Sequence, residues 1–61
     1  MEKIVRIQNN NQVTLYKRSG LRKNWLDILN KSSNYEILSR TSMSITINKP
    51  SGPMIFQYIK K

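Results

Sequence analysis

The sequence predicts a mostly β domain with one short helix. Three observations carry this. Apolar and polar residues alternate over Lys3–Gln8, Gln12–Tyr16 and Ser42–Asn48, the period of half-buried strands. Leu21, Trp25, Ile28 and Leu29 recur at helical spacing and form one apolar stripe. Turn-forming residues, Asn9-Asn10-Asn11 and Pro50-Ser51-Gly52-Pro53, separate the apolar runs.

Taken in order, Lys3–Gln8 reads as a strand with Val5 and Ile7 on one face and Ile4, Arg6 and Gln8 on the other. Asn9–Asn11 is a turn, because Asn tolerates positive φ and bonds its own backbone. Gln12–Tyr16 is a second strand, Val13 and Leu15 alternating against Thr14 and Tyr16. The pair makes a hairpin. Ser19 is placed to cap a helix over residues 20–30. Its apolar stripe depends on packing against strands, since about 11 residues make no stable isolated helix. Within that stripe Trp25 is read as a core anchor. Asn30–Asn34 ends the helix in a polar loop, with Asn30 suited to a left-handed C-terminal position. Tyr35–Ser39 is a third strand. Ser42–Asn48 is a fourth, with Met43, Ile45 and Ile47 on one face. Met54–Ile59 is a fifth whose two faces are both largely apolar. That suits burial or pairing better than a free edge.

The chain has 61 residues, which allows one domain. A domain of this size is marginal alone. It has no Cys and no His, so disulfides, thiolate zinc sites and imidazole ligands are all unavailable. No metal or cofactor is expected. Small chains without such staples gain stability by oligomerising, and a homodimer is expected. The same absences count against an enzyme: there is no imidazole base and no thiolate nucleophile. The carboxylates are Glu2, Asp27 and Glu36, with no cleft-forming pattern to pair them. No apolar run approaches the length of a spanning helix or a signal-peptide core, so no membrane partner is expected. A Cys-free chain fits a cytoplasmic protein.

The net charge is +8, with 11 Lys and Arg against 3 Asp and Glu. Residues 1–24 hold Lys3, Arg6, Lys17, Arg18, Arg22 and Lys23 against Glu2 alone, a surplus of +5. Charge concentrated in this way is the footprint of a nucleic-acid binder. One local rule is broken. Arg22 and Lys23 fall in the first turn of the helix, just after Lys17 and Arg18. The positive end of the helix dipole disfavours cations and binds anions, phosphate included.

Residues 3–15, KIVRIQNNNQVTL, resemble the N-terminal hairpin of the AbrB/SpoVT/MazE-like family, whose pattern is a strand, a short polar turn and then G-Q-V-T-I-P. Gln12-Val13-Thr14-Leu15 carries the match. Asn11 stands where the family has Gly, and Tyr16 where it has Pro. Residues 35–49 resemble the family's later strand pair. The resemblance implies an intertwined homodimer forming a swapped-hairpin β-barrel. It also divides the chain into an AbrB-like DNA-binding domain, 1–50, and a C-terminal extension, 51–61, serving as an extra strand or interaction segment. Carried onto matching positions, the DNA-binding residues are Lys3, Arg6, Asn9, Asn10, Asn11, Lys17, Arg18, Arg22 and Lys23.

The expected function is therefore a small DNA-binding protein, a transcriptional regulator that binds double-stranded DNA as a homodimer in the cytoplasm, on the nucleoid. Two alternatives share its features. A protein-interaction module, an antitoxin or small inhibitor gripping an acidic protein surface, would use the apolar segment Met54–Ile59. A non-specific architectural DNA binder would use the same cations. A ribbon-helix-helix dimer is disfavoured by the β-rich C-terminal half.

Overall fold

The computed structural model describes residues 1–60. Strand β1 spans Glu2–Gln8, β2 Asn11–Arg18, helix α1 Arg22–Ser32, β3 Glu36–Arg40, β4 Ser44–Lys49 and β5 Gly52–Lys60. The mostly β class with one short helix is observed. The strands form a single sheet in the order β2-β1-β5-β4-β3, and all of its pairings are antiparallel. The helix carries the chain from one sheet edge to the other across a single face. No helix among the described residues is long and apolar enough to cross a membrane.

The β1–β2 turn is tighter than the three Asn residues suggest. Asn11 already pairs with Gln8, and Asn9 and Asn10 alone make the loop, at φ 54° and 66°. Positive φ at both central residues is the type I′ geometry, whose twist matches that of the flanking strands. Asn supplies it because its short polar side chain tolerates the left-handed region.

In β2 the expected alternation fails after Thr14. Ile4 pairs with Tyr16 and Val5 with Thr14, so Leu15 is the extra residue of a β-bulge. The bulge lets Leu15 pack against the core while Val13 and Tyr16 are exposed. One added residue switches which side chains face inward.

The helix starts and ends later than the sequence indicates. Its N-cap is Leu21, with no side-chain cap bond, so Ser19 does not perform that role. Gly20 at φ 71° turns the chain instead, a conformation glycine adopts without steric cost. The Leu21 N–H is donated to Glu2 Oε1 at 2.9 Å. At the other end the helix continues to Ser32, whose hydroxyl bonds the Ile28 carbonyl at 2.7 Å. Asn30 stays helical, and Ser33 caps with right-handed geometry and a hydroxyl bond to the Asn30 carbonyl.

The later strands shift by one or two residues. Thr41 closes the β3–β4 turn by accepting the Ser44 N–H at 3.0 Å and donating its own N–H to the Ser44 carbonyl at 2.8 Å. This holds residues 41–43 out of β4. The segment set apart as a C-terminal extension supplies the middle strand of the sheet: β5 pairs with β1 on one side and β4 on the other.

The core lies between sheet and helix. Ile4, Leu21, Trp25, Ile45, Ile47, Met54 and Tyr58 are buried together, with Leu15, Ile28, Leu29 and Phe56 packed around them. The helical stripe read from the sequence is thus the stripe that packs, and Trp25 is 3% exposed. Its ring stacks on Tyr58 at 5.7 Å between centroids, a pairing that adds to simple area burial. Val5 is also buried but stands outside this cluster. It lies between Thr14 and Gln57 in the ladder, with its side chain on the face the helix leaves open.

Candidate nucleic-acid interface

Antiparallel pairing brings the start of β1, the end of β2 and the end of β5 to one edge of the molecule. Glu2 stands opposite Arg18 on one side and Lys60 on the other. Lys3 stands directly opposite Lys17. Two like charges in direct register destabilise a sheet unless something anionic joins them. The next strand offers no counter-charge, since the residue paired with Lys3 there is Ile59. Met1, Glu2, Lys3, Lys17 and Ile59 enclose a shallow depression of about 180 Å³.

The helix begins at the same end. Glu2 ties Leu21 to β1, which sets Arg22 and Lys23 beside the strand termini. There is no acidic residue in the first turn. Arg18 is oriented by a 3.0 Å bond from Nη2 to Asn24 Oδ1 and lies 5.9 Å from the Tyr16 ring centroid. Lys60 lies 5.9 Å from the ring centroid of Tyr58. Lys3, Lys17, Arg18, Arg22, Lys23 and Lys60 thus lie at one end, Lys3 and Lys17 on the open face and Arg18 and Lys60 on the helix face.

Glu2 is the one carboxylate among them, and it is engaged internally. It accepts bonds from the Tyr58 hydroxyl and the Leu21 N–H. The Tyr58 bond, then the Leu21 bond, hold its carboxyl below the ordinary value, against an opposing contribution from burial. The same bond, with burial and the Glu2 charge, pushes the Tyr58 phenol up. Among the described residues the one ion pair joins Lys31 to Asp27 at 3.2 Å, on the helix and away from this cluster. None of the six clustered cations is in an ion pair there.

Five of the residues selected from the sequence, Lys3, Lys17, Arg18, Arg22 and Lys23, come together here. Arg6 lies further along β1, paired with Val13 and Phe56 and half-buried. Asn9, Asn10 and Asn11 lie at the opposite end of the hairpin, roughly 20 Å away at about 3.3 Å per strand residue. There Asn9 and Asn10 form the turn and Asn11 opens β2. Lys60 was not among the selected residues. Its charge was visible in the sequence, but only the β1–β5 pairing shows that it returns to Glu2.

Met54–Ile59, the segment suggested as a protein-binding strand, has both backbone edges occupied by β1 and β4. Met54 and Tyr58 belong to the core. Ile55, Gln57 and Ile59 remain on the open face, half-buried.

No family model, curated protein or solved structure matches this chain.

Proposed function

We propose that this chain is a DNA-binding protein that grips the phosphate backbone with the basic end of its sheet and the start of its helix. The observation that carries the reading is the collection of six cations at one end of the sheet, Lys3 and Lys17 on the open face, Arg18 and Lys60 on the helix face and Arg22 and Lys23 at the helix start, where the one carboxylate is already engaged by Tyr58 and Leu21. Lys3 and Lys17 in direct register make a two-ammonium clamp for one phosphate. On the other face at the same end, the helix start presents Arg22 and Lys23 together with backbone N–H groups suited to an anion. Arg18, held by Asn24 and laid against Tyr16, is the side chain best fixed to read a guanine edge. The role is binding rather than catalysis. Regulation of transcription on the nucleoid is the use we infer for it.

The same proposal includes a homodimer. The swapped-hairpin barrel implied by the sequence resemblance would exchange hairpins between two chains. A dimer doubles the basic surface and the number of phosphates neutralised.

Gel shifts on specific and random duplexes, run across salt with protein of measured solution mass, test the whole reading. Binding should weaken linearly on a log–log plot, with a slope of about −0.9 per phosphate contact. An Arg18/Arg22/Lys23→Ala protein should stay folded and lose most of its affinity. Binding that ignores salt, or survives the triple substitution, overturns the site. A monomer mass at binding concentrations overturns the dimer.

A further inference from the structure

A second cavity opens beside the basic end, on the face that carries the helix. It measures about 270 Å³ and lies between α1, the β3–β4 turn and β5. At roughly 30 Å³ per water, that is space for about nine waters, or for one aromatic ring with a charged head group. Its walls are amphiphilic. Trp25 and Tyr58 stand at its base, Leu26 and Met43 at its sides, and Arg22 and Lys60 supply its cations. Leu26 and Met43 are large apolar side chains left 51% and 38% exposed. No carboxylate lines it.

One wall residue carries an independent signal. The Trp25 indole Nε1 is enclosed and has no hydrogen-bond partner among the described residues, in a side chain that is itself 3% exposed. Nearly all buried polar groups in native proteins are satisfied, so an orphaned donor asks for an acceptor. Here the orphan belongs to a residue that borders a cavity with two cations and apolar sides.

We propose that this cavity binds a small amphiphilic anion: an apolar or aromatic body bearing one carboxylate or phosphate. The body replaces water against Leu26 and Met43, and the head group lies between Arg22 and Lys60. The Trp25 ring borders the space the ligand body fills, so its indole N–H reports occupancy. Where the DNA-binding reading holds, on which this clause rests, the ligand competes with the phosphate backbone for Arg22 and Lys60 and so releases DNA.

The protein has one Trp, so a ¹⁵N-labelled sample gives a single indole N–H resonance to follow. The probes are 4-phenylbutyrate and phenyl phosphate, with inorganic phosphate and neutral 4-phenylbutanol as controls. Both aromatic anions should shift the Trp25 indole signal and the Met43 methyl, with a Kd of roughly millimolar or tighter. The relative strength of the two separates carboxylate from phosphate as the head group. Each control should bind at least about tenfold more weakly, and Arg22→Gln and Lys60→Gln should each weaken the anions about tenfold. Met43→Asp, which keeps both cations but sets a carboxylate at the cavity wall, should abolish anion binding while leaving the fold intact. An indole signal unmoved by either anion overturns the proposal. So does the neutral alcohol binding as well as the anions, or undiminished binding by the charge variants. In gel shifts the aromatic anions should displace DNA from the wild type and not from Met43→Asp. Failure of DNA to bind at all, with the indole titration intact, overturns the DNA-binding reading and leaves the cavity assignment standing.

Discussion

The two ends of the sheet are built from the same strands and differ in how their charges are satisfied. At the far end, where α1 finishes and the two tight turns lie, the cations have local partners. Lys31 pairs with Asp27, and Lys49 lies 5.4 Å from the ring centroid of Tyr35. Glu36 accepts a bond from Asn48 Nδ2 at 3.2 Å, and Gln8 Nε2 bonds Ser51 Oγ across the two turns at 3.0 Å. At the near end Lys3 faces Lys17, the first helical turn is basic, and the lone carboxylate is committed to Tyr58 and Leu21. At the balanced end each of these groups has a partner within the chain. The other tolerates repulsion that folding does not require, which is the usual mark of a surface shaped for a partner.

Trp25 binds α1 to the sheet at the near end, and replacing it should have the largest effect. Trp25→Ala should cost about 3–5 kcal/mol through loss of a buried aromatic and the cavity it leaves. The neighbouring Leu26→Ala, at an exposed position, should stay within about 0.5 kcal/mol. Equal urea midpoints for the two variants would show that the helix does not pack as described.

Glu2 links β1, α1 and β5, and Glu2→Gln should lower stability at neutral pH. The sign follows from its depressed pKa: the folded state binds protons less readily than the unfolded one. The stabilisation is present above the ordinary carboxylate value and is lost as pH falls through the lowered folded value. Thermal midpoints measured from neutral to acid pH should decline in the wild type more steeply than in Glu2→Gln. Parallel curves would remove Glu2 from its linking role.

At the far end, Asn10→Val should cost about 1–2 kcal/mol, since a β-branched residue resists positive φ. Asn10→Gly should be neutral or stabilising. Thermal unfolding of the two distinguishes a type I′ turn from a permissive loop.

Lys17→Thr should act in the opposite sense. Relief of the like-charge register of Lys3 and Lys17 should stabilise the fold at low salt by about 0.2–1 kcal/mol. The same change should reduce the salt slope of DNA binding by about one. A stabilised protein that binds DNA as before would separate the repulsion from the function.

The smallest effect belongs to the balanced end. Asp27→Asn breaks an exposed helical pair and should cost about 0.3–0.5 kcal/mol, with no change in DNA binding. A clear change in binding would mean that the far end also takes part.

Much of the molecule was legible because it depends on local periodicity. The alternation at Ile45 and Ile47, the helical stripe of Leu21, Trp25, Ile28 and Leu29, and the Asn-rich turn each follow from neighbours within a few positions. Boundaries were less legible. Ser19 has the right chemistry for a cap, yet Gly20 turns the chain and Glu2, nineteen positions away, takes the Leu21 N–H. A bulge has no signature in a Val-Thr-Leu-Tyr run, so the pattern alone places Leu15 in a regular strand.

The candidate site divides in the same way. Lys17, Arg18, Arg22 and Lys23 are close in sequence, and a charge count finds them without any structure. Lys3 joins them through the hairpin, which the turn residues announce. Lys60 joins only because β5 returns to the middle of the sheet and lies against β1, a pairing of residues more than fifty positions apart. The cavity lined by Trp25, Met43 and Lys60 likewise needs three separate elements to meet.

The element types, the buried helical stripe and the excess of positive charge are thus properties of the sequence. These rest on side-chain period and composition, which any window of the chain displays. Only the tertiary structure decided which strand is central, which face is covered and which end collects the cations. Strand order and register come from long-range backbone pairing and burial, and their free energy is shared across the whole sheet rather than written in any one segment.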